Sequence, residues 1–368
     1  MNKHLLYKEL EEWYEVNHRI LPWRETDDPY KIWISEIILQ QTRVAQGMEY
    51  YHRLITRFPD IQSLANAEED EVLLYWQGLG YYSRARNMHK AAQLMREHEI
   101  FKLNNDNINN IATESTPSVA KGKTPKLLNS EQIFSSLRSM PGVGDYTAGA
   151  IASFAFNLPY PALDGNVYRV LSRLYDCEIA FDTTQGKKHF RQLAEELLDR
   201  EHPRLFNSAI MELGALHCVP TAPDCSTCPL NTWCKALANN TVELLPVRKP
   251  RPKVRDRYLE YTIYITPQRT TLIHQRKGND IWKHLWEFVC AERTGEEAIR
   301  RKAKGEKILE LTHVLSHQKL HARFIIKNVP ELPEIPDTLV VSLNDLDNYA
   351  FSRLTLNAIE KLHITYQS

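Results

Sequence analysis

The sequence SMPGVGDYTAGAIASFAF (Ser139–Phe156) contains the turn on which the fold assignment depends. A helical segment ends near Arg138, Pro-Gly-Val-Gly makes a tight turn, and a second helical segment begins near Asp145. Glycines adopt backbone conformations that other residues avoid, and they leave free amides at a helix N-terminus, which suits a phosphate. The stretch predicts a helix-hairpin-helix that contacts a DNA backbone without reading its sequence, although such a turn can also simply reverse the chain. The predicted contact residues are Gly142, Val143 and Gly144.

The hairpin belongs to a long helical part of the chain. Apolar residues recur at helical spacing from Tyr30 onward and again over Glu68–Met95, where QGLGYYS separates two helices. Residues 102–130 are rich in Asn, Ser, Thr, Lys and Pro, which predicts a surface loop. We therefore expect an all-α N-terminal part over residues 1–245.

A different pattern follows the basic segment RKPRPKVRDR (Arg248–Arg257). This segment predicts a linker over residues 246–257, either as a solvated connector or as a phosphate contact. Beyond it, alternation around TPQRT predicts a β-hairpin, KLHARFIIKNV and DTLVVSL predict strands, and GEEAIRRKA and FSRLTLNAIEKL predict helices. Residues 258–368 therefore form an α+β domain.

Composition narrows the functional classes. The chain has 368 residues, 43% of them apolar, and a formal net charge of zero, so charge alone gives no argument for nucleic-acid binding. No apolar run approaches the ~18 residues that indicate a membrane span. The N-terminal stretch is amphipathic and lacks the apolar core and cleavage site of a signal peptide. We expect a cytoplasmic, bacterial-type protein that does not bind membranes.

Four of the six cysteines fall within CVPTAPDCSTCPLNTWC, with the spacing C-x6-C-x2-C-x5-C. A reducing compartment disfavours disulfides, and loops this short would gain little from them. Structural zinc usually takes two C-x2-C pairs, of which only one is present, whereas iron–sulfur clusters take four thiolates at mixed spacings. The spacing predicts either metal centre and leaves the choice open. Its ligands are Cys218, Cys225, Cys228 and Cys234.

Two carboxylates stand in apolar surroundings. Glu36 falls on a largely apolar helical face, where burial of an ionised carboxyl is costly, so its pKa is expected to rise and to suit a general acid. Asp164 immediately precedes another predicted helix. The alternatives are a salt-bridged Glu36 at the edge of the core and an Asp164 that serves only as an N-cap.

Seven motifs together resemble one group of DNA repair enzymes. In chain order they are LPWR (Leu21–Arg24), SEIILQQTRV (Ser35–Val44), GLGYYSRARN (Gly78–Asn87), MPGVGDYTAGAI, LDGNVYRVLSR (Leu163–Arg173), FNSAIMELGALHC (Phe206–Cys218) and the cysteine cluster. They resemble the helix-hairpin-helix DNA glycosylases of endonuclease III type and, among these, the MutY-type adenine DNA glycosylases. The resemblance implies an all-α helix-hairpin-helix glycosylase part with a [4Fe–4S] module, followed by an α+β Nudix-like domain.

The resemblance also implies a reaction. Relatives of this type act in base excision repair as monofunctional glycosylases, hydrolysing the N-glycosidic bond of adenine mispaired with 8-oxoguanine or guanine in duplex DNA. We expect the same of this chain, as a monomer. Bifunctional relatives carry a lysine where this chain has Tyr146, and that amine attacks the sugar and cuts the strand. The alternatives are a bifunctional endonuclease III-like glycosylase/lyase acting on oxidised pyrimidines, and a DNA-binding protein without activity.

Individual residues receive roles from the same resemblance. Glu36 protonates N7 of adenine, while Asp164 stays ionised with a low pKa and stabilises the sugar cation. Tyr146 and Asn166 orient these two groups. The adenine leaves the duplex and enters a pocket. The pocket positions are Trp23, Arg24, Leu39 and Val44, and the positions that wedge into the duplex or support the lesion are Gln41 and Tyr81, with core packing as the alternative for each.

The C-terminal part resembles the lesion-reading domain of the same family. In HVLSHQKLHARF, Leu315, Ser316 and His317 occupy the loop that senses 8-oxoguanine. Ser316 reaches the Hoogsteen edge, where oxidation turns the N7 acceptor into a donor, and His317 either contributes or only anchors its strand. The Glu-rich metal box of a working Nudix hydrolase is not found, so pyrophosphate hydrolysis is not expected.

Four features depart from the family pattern. Leu315 replaces the usual Phe, and Ser208 stands where relatives commonly place Gln or Glu against the adenine. Residues 219–224 lack the basic side chains that relatives use for phosphate, and the loop over residues 102–130 is longer than usual.

Overall fold

The computed structural model describes residues 2–102, 128–250, 253–295 and 307–364. The chain forms two compact units, which alternate along the sequence. The first comprises Met1–Tyr51, Phe58–Gln62 and Lys90–Pro250, and the second comprises His52–Arg57, Ser63–His89 and Arg251–Ser368. Most of the loop predicted over residues 102–130 and of the helix predicted over GEEAIRRKA lies outside the described residues.

The N-terminal part is helical, as predicted. The helices are α1 Lys3–Asn17, α2 Pro29–Leu39, α3 Val44–Arg57, α4 Ile61–Asn66, α5 Glu69–Trp76, α6 Ser83–Met95, α7 Ser130–Ser139, α8 Asp145–Phe156, α9 Gly165–Tyr175, α10 Thr184–Leu197, α11 Pro203–Leu216, α12 Lys235–Asn239 and, near the C-terminus, α13 Arg353–Leu362. Short 3-10 turns lie at Glu99–Lys102, Asn231–Trp233, Val242–Leu244 and Leu343–Asn348. Within the described residues, no helix is both long enough and apolar enough to cross a bilayer.

Helices α2 and α8 form the centre of the first unit. Asp28 caps α2 through bonds to two backbone amides, and Pro29 occupies the first helical position, where its missing N–H costs nothing. Helix α8 consists largely of small and apolar residues and is almost entirely buried. A Cβ at Gly149 would lie 2.5 Å from the carbonyl oxygen of Pro161, so only glycine lets the chain pass this closely. Both helices carry predicted site residues.

The helix-hairpin-helix has the predicted form. Helix α7 begins with a capping box between Asn129 and Gln132 and ends at Ser139. In the turn, Gly142 has φ 80°, a left-handed conformation that favours glycine. Helix α8 then begins at Asp145 with Gly144 as its N-cap, so no side chain caps the amides of its first turn.

The second unit contains a six-stranded sheet in the order β4-β5-β1-β3-β2-β6. Its strands are β1 Arg255–Ile265, β2 Thr270–Gln275, β3 Trp286–Arg293, β4 Lys307–Val314, β5 Gln318–Asn328 and β6 Leu339–Ser342. Strands β1 and β5 are parallel and the other pairs are antiparallel. Helix α13 packs its apolar residues into the core of this sheet. Strand β1 begins inside the predicted linker; the predicted domain boundaries stay a proposal.

The prediction that β1 and β2 pair with each other as a hairpin is wrong. The turn exists, because the Thr266 amide donates to the Thr270 carbonyl at 3.2 Å. Beyond the turn, however, β3 lies between the two strands and pairs with both. Alternating hydrophobicity predicts strands and turns, but it does not identify the neighbour of each strand.

Residues 63–89 belong to the second unit through specific polar contacts. The backbone amide of Phe351 donates to the Gln77 side chain at 2.8 Å, and the Arg86 guanidinium donates to the Lys283 carbonyl at 2.8 Å. These contacts join residues about 200 or more positions apart in the chain. The turn between α5 and α6 is therefore part of the surroundings of the sheet.

Candidate active site

Nine of the predicted site residues line a single cavity of about 410 Å³ in the first unit. They come from the segment before α2, from α2 through the start of α3, and from the N-terminal ends of α8 and α9. We call this the carboxylate cavity. Its predicted members are Trp23, Arg24, Glu36, Leu39, Gln41, Val44, Tyr146, Asp164 and Asn166.

Glu36 lies on α2 with only 2% of its surface exposed. The Tyr146 hydroxyl donates to Glu36 Oε2 at 3.0 Å. The Arg24 guanidinium lies 3.6 Å from Oε1, and that oxygen has no hydrogen-bond partner among the described residues. Burial raises the pKa of Glu36, and Arg24 and Tyr146 only partly oppose this rise. A carboxyl in this position keeps its proton to a higher pH than an exposed one, which suits a general acid.

Asp164 is the N-cap of α9. Its Oδ1 accepts from the backbone amides of Asn166 at 2.9 Å and Val167 at 2.8 Å, and its Oδ2 accepts from the Asn166 side chain at 2.8 Å. Burial raises the pKa of Asp164 against the effect of these bonds, so the expectation of a low pKa is wrong for the free protein. The two carboxyls differ in hydrogen bonding instead, because Asp164 accepts three bonds and Glu36 accepts one.

Asn166 is in turn held by Arg169, which the sequence analysis did not single out. Arg169 donates to the Asn166 side-chain oxygen at 3.0 Å, to the Gly214 carbonyl at 2.6 Å and to the Cys218 carbonyl at 2.7 Å. A Cβ at Gly214 would lie 2.7 Å from the Cβ of Asn166, so a glycine lets α11 approach α9 closely. The three-residue spacing from Asn166 to Arg169 is the signal that could have found this contact.

The predicted pocket residues Trp23 and Arg24 also contribute to the core. Trp23 is 1% exposed and packs edge-on against Tyr51 at 5.2 Å between ring centroids. The Arg24 guanidinium lies 3.6 Å from the centroid of the Phe154 ring. Core packing and cavity lining are therefore compatible for these two residues.

Helices α1 and α11 supply cavity residues that the motifs did not identify as such. Arg19 and Glu212 form a two-point ion pair, with 2.9 Å between Arg19 Nη2 and Glu212 Oε2. Tyr14 and Met211 complete this side, together with Ser208, which was noted only as a departure. Ser208 thus lines the cavity at the position where a longer amide or carboxylate is common in relatives.

The hairpin and Gln41 are the residues that were predicted to contact DNA in the first unit. Gln41 has φ 61°, a left-handed conformation that is uncommon for residues other than glycine. Gly144 lines a second cavity, of about 330 Å³, together with Lys187 and Arg191 from α10. The uncapped amides of α8 and the Lys187 cation suit a phosphate, while Arg191 lies 3.3 Å from the Asp145 carboxylate, which lines the same cavity. Gly142 and Val143 form the turn just before this helix end.

Cys218, Cys225, Cys228 and Cys234 all line one small cavity of about 30 Å³, and none of them forms a disulfide. As placed, no group of three or more His, Cys, Asp or Glu side chains within the described ranges could hold a single metal ion. The Arg173 guanidinium lies 3.3 Å from Cys218 Sγ and also donates to the carbonyls of Val219 and Pro220.

The remaining predicted residues line a cavity of about 420 Å³ in the second unit, which we call the aromatic cavity. Tyr81 lies in the turn before α6 with φ 48° and 48% of its surface exposed. Leu315, Ser316 and His317 come from the turn between β4 and β5, where Ser316 Oγ lies 3.1 Å from His317 Nδ1. Trp282 also lines this cavity. The structure thus brings Tyr81 to the predicted lesion-sensing loop.

Comparison with known proteins defines the class. Residues 34–200 match the family model described as HhH-GPD superfamily base excision DNA repair protein, and residues 260–361 match that of the NUDIX domain. The structure of a thermostable thymine-DNA glycosylase superposes with a TM-score of 0.51 at 21% identity, over 64% of this chain and 97% of that one. The chain therefore has a helical part of the HhH-GPD type followed by a Nudix-like domain, as predicted.

More similar relatives give the particular family. The adenine DNA glycosylase of Buchnera aphidicola subsp. Baizongia pistaciae is 32% identical, over 86% of this chain and 84% of the relative. The adenine DNA glycosylase of Buchnera aphidicola subsp. Acyrthosiphon pisum is 31% identical, over 91% and 89% respectively. The chain belongs to the adenine DNA glycosylase family.

Proposed function

We propose that this protein is a monofunctional glycosylase that hydrolyses the N-glycosidic bond of adenine mispaired with 8-oxoguanine or guanine in duplex DNA. The observation that carries the proposal is the pair of carboxyls, Glu36 and Asp164, in one cavity of about 410 Å³. Membership of the adenine DNA glycosylase family supports the choice of base. A cavity of this size suits a flipped-out nucleobase.

Glu36 is the general acid in this proposal. A glycosidic leaving group needs a proton, and Glu36 delivers it to N7 so that the adenine departs neutral. Its raised pKa supports this role, as does its Oε1 atom, which has no hydrogen-bond partner in the part of the chain that the structure describes. Tyr146 holds the other oxygen, which leaves Oε1 as the atom from which the proton is delivered.

Asp164 acts on the sugar. As the base leaves, positive charge develops on the sugar, and a nearby carboxylate stabilises that charge. The three hydrogen bonds that Asp164 accepts favour its ionised form, and the positive charge that develops on the sugar favours this form further. Water then attacks the sugar and completes the hydrolysis. Because Tyr146 provides no amine, the strand stays intact.

A [4Fe–4S] cluster bound by the four cysteines is part of the proposal. In such a cluster each thiolate binds a different iron atom, so its sulfurs stand farther apart than those around one zinc ion. Four thiols around a shared cavity support this fit. The cluster would brace the segment that follows α11, whose carbonyls already hold Arg169 and Arg173. An absorbance spectrum with iron and sulfide analysis tests this; a colourless, zinc-loaded protein would contradict it.

DNA binding and lesion recognition complete the proposal. The hairpin amides of Gly142–Gly144 bind a phosphate, Gln41 and Tyr81 wedge into the duplex or support the lesion, and the turn between β4 and β5 reads the base opposite the adenine. There Ser316 reads the Hoogsteen edge, with Tyr81, Leu315 and His317 around it. A cytoplasmic location and a monomeric state stay predictions.

The deciding experiment is a product assay on a defined mispair. An adenine:8-oxoguanine duplex should lose adenine and break only after alkali, and an adenine:guanine duplex should react more slowly. Strand breakage without alkali would favour the bifunctional endonuclease III-like alternative. No base release would leave only a DNA-binding role.

A further inference from the structure

The side chain of Gln40 joins the end of α2 to the helix-hairpin-helix. Gln40 is the C-cap of α2, is half-buried and lines the carboxylate cavity directly before the predicted wedge residue Gln41. Its amide nitrogen donates to the Thr147 hydroxyl at 3.1 Å, in the first turn of α8, and to the Gly142 carbonyl at 3.4 Å, in the hairpin turn. One side chain therefore contacts both the hairpin turn and the helix that follows it.

The hairpin peptide group that Gln40 contacts is held from both sides. The Gly142 carbonyl and the Val143 amide belong to one planar peptide group, so they cannot turn independently. The Val143 amide donates to the Met140 carbonyl at 3.0 Å, while the Gly142 carbonyl accepts from Gln40. The orientation of the turn, and with it the direction of the uncapped amides at the start of α8, thus depends in part on Gln40.

A second bond between the same two helices lies one helical turn away. Glu36 stands in the last turn of α2, four residues before Gln40, so the two side chains share one side of the helix. Glu36 accepts from Tyr146 at 3.0 Å, and Gln40 donates to Thr147, the next residue of α8. The bond from Gln40 to Thr147 therefore fixes the end of α2, which leads into the predicted wedge, against the helix that orients the predicted acid.

The contacts of Gln40 require an amide. Its two N–H donors match two acceptors, the Thr147 hydroxyl and the Gly142 carbonyl. A methionine of similar length has no donor, and an ionised glutamate can only accept. Thr147 is 2% exposed, so bulk water cannot readily replace the bond that its hydroxyl accepts.

We propose that Gln40 is a positioning residue, which holds the hairpin in register with Gln41 so that phosphate binding at the hairpin assists extrusion of the adenine. The inference rests on the proposed function, since it takes the hairpin to bind phosphate and Gln41 to wedge into the duplex. Extrusion of a base costs unstacking and unpairing energy, and contacts remote from the reacting bond can offset this cost only if they are firmly connected to the site. Gln40 provides this connection through Gly142 and Thr147.

The test compares variants of the whole chain that break the link from either side. Gln40→Met removes the donors, Thr147→Val removes the acceptor hydroxyl, and Thr147→Ser keeps a hydroxyl. The matched control is Gln62→Met, because Gln62 also donates to a distant backbone carbonyl, that of Arg96 at 2.9 Å, but lies outside the lining of the carboxylate cavity. Thermal melting confirms that each variant is folded.

Three measurements separate positioning from DNA binding and from acid strength. The first is affinity for an adenine:8-oxoguanine duplex, and the second is extrusion of 2-aminopurine placed opposite 8-oxoguanine, which fluoresces when it leaves the stack. Both are made with Glu36→Gln in every variant, so that no turnover occurs. The third is single-turnover adenine release as a function of pH, which is made without that change.

Gln40→Met should lower both extrusion and adenine release about tenfold, while affinity changes by less than about threefold. The basic limb of the pH–rate profile should not move, because Glu36 keeps its bond to Tyr146. Thr147→Val should act in the same direction, and Thr147→Ser should lose less. The double variant Gln40→Met/Thr147→Val should be no slower than Gln40→Met alone, since the two residues act through one bond. Gln62→Met should match the parent.

Unchanged extrusion and release in Gln40→Met would overturn the inference, and so would additive losses in the double variant. A loss of affinity as large as the loss of release would also overturn it, since Gln40 would then act on DNA binding itself. These results leave the proposed function intact as long as the parent protein releases adenine from its mispair. A parent that extrudes 2-aminopurine but releases no adenine would refute the proposed function, while the extrusion measurement would still decide the role of Gln40.

Discussion

The carboxylate cavity contains Glu36, which is buried, together with Asp164, whereas the aromatic cavity contains Tyr81, which is 48% exposed, together with Trp282. Glu36 and Asp164 stand on or beside helices, where other side chains hold them in place. Tyr81 and Trp282 stand in turns with left-handed backbone. A proton transfer needs fixed atoms and a low dielectric, while recognition of a base in a duplex needs a surface that DNA can reach. The two cavities therefore differ in the way that the proposed proton transfer and the proposed recognition of the opposite base require.

The largest effect is expected from Glu36→Gln. The amide cannot donate an acidic proton, so single-turnover adenine release should fall at least about 10³-fold, within the range for loss of a general acid. Binding of the adenine:8-oxoguanine duplex should persist, and thermal stability should not fall, because the change removes a buried carboxyl with one unpartnered oxygen. Residual turnover within tenfold of the parent would contradict the role of Glu36.

The comparison also shows what the sequence could and could not predict. Glu36 and the four cysteines were identifiable because helical periodicity and short spacings are local properties. Arg169 and Gly214 were missed because their importance arises from the contact between α9 and α11. These two residues are 45 positions apart in the chain, so no local pattern connects them.

The strand order illustrates the same limit. Strands β1, β2, β5 and β6 were predicted from their apolar patterns, yet the insertion of β3 between β1 and β2 could not be seen in those patterns. Likewise, the low pKa expected for Asp164 followed from its proposed role, while burial was invisible in the sequence and raises that pKa. Long-range packing decides both properties.

Gly214→Ala should have the next largest effect. The new methyl would lie 2.7 Å from the Cβ of Asn166 and 3.0 Å from its backbone, so α9 and α11 must move apart. Displacement of Asn166 weakens its bond to Asp164, and a shift of this size should lower adenine release about tenfold. Gly278→Ala is the matched control, because its methyl would meet nothing within 4 Å. Equal rates for the two variants would show that the contact is not important for catalysis.

Ser316→Ala should act on selectivity instead of rate. The loss of one hydrogen bond should reduce the preference for 8-oxoguanine over guanine about fivefold to tenfold. Adenine release from bound duplex should remain near the parent value, since the carboxylate cavity is unaltered. The measurement is the ratio of affinities for the two mispairs. A preference equal to that of the parent would remove Ser316 from lesion reading.

The smallest effect, and the one that most sharpens the comparison, is expected from Tyr146→Phe. The Tyr146 hydroxyl lowers the pKa of Glu36 by donating to Oε2, so its removal should raise that pKa further. Glu36 acts in its protonated form, and the rate falls as the pH rises through its pKa. The basic limb of the pH–rate profile should therefore move to higher pH, with only a severalfold loss of rate at the optimum because the carboxyl is less well oriented. A shift of this limb to lower pH would mean that Tyr146 favours the protonated carboxyl. An unshifted limb would mean that a group other than Glu36 supplies the proton.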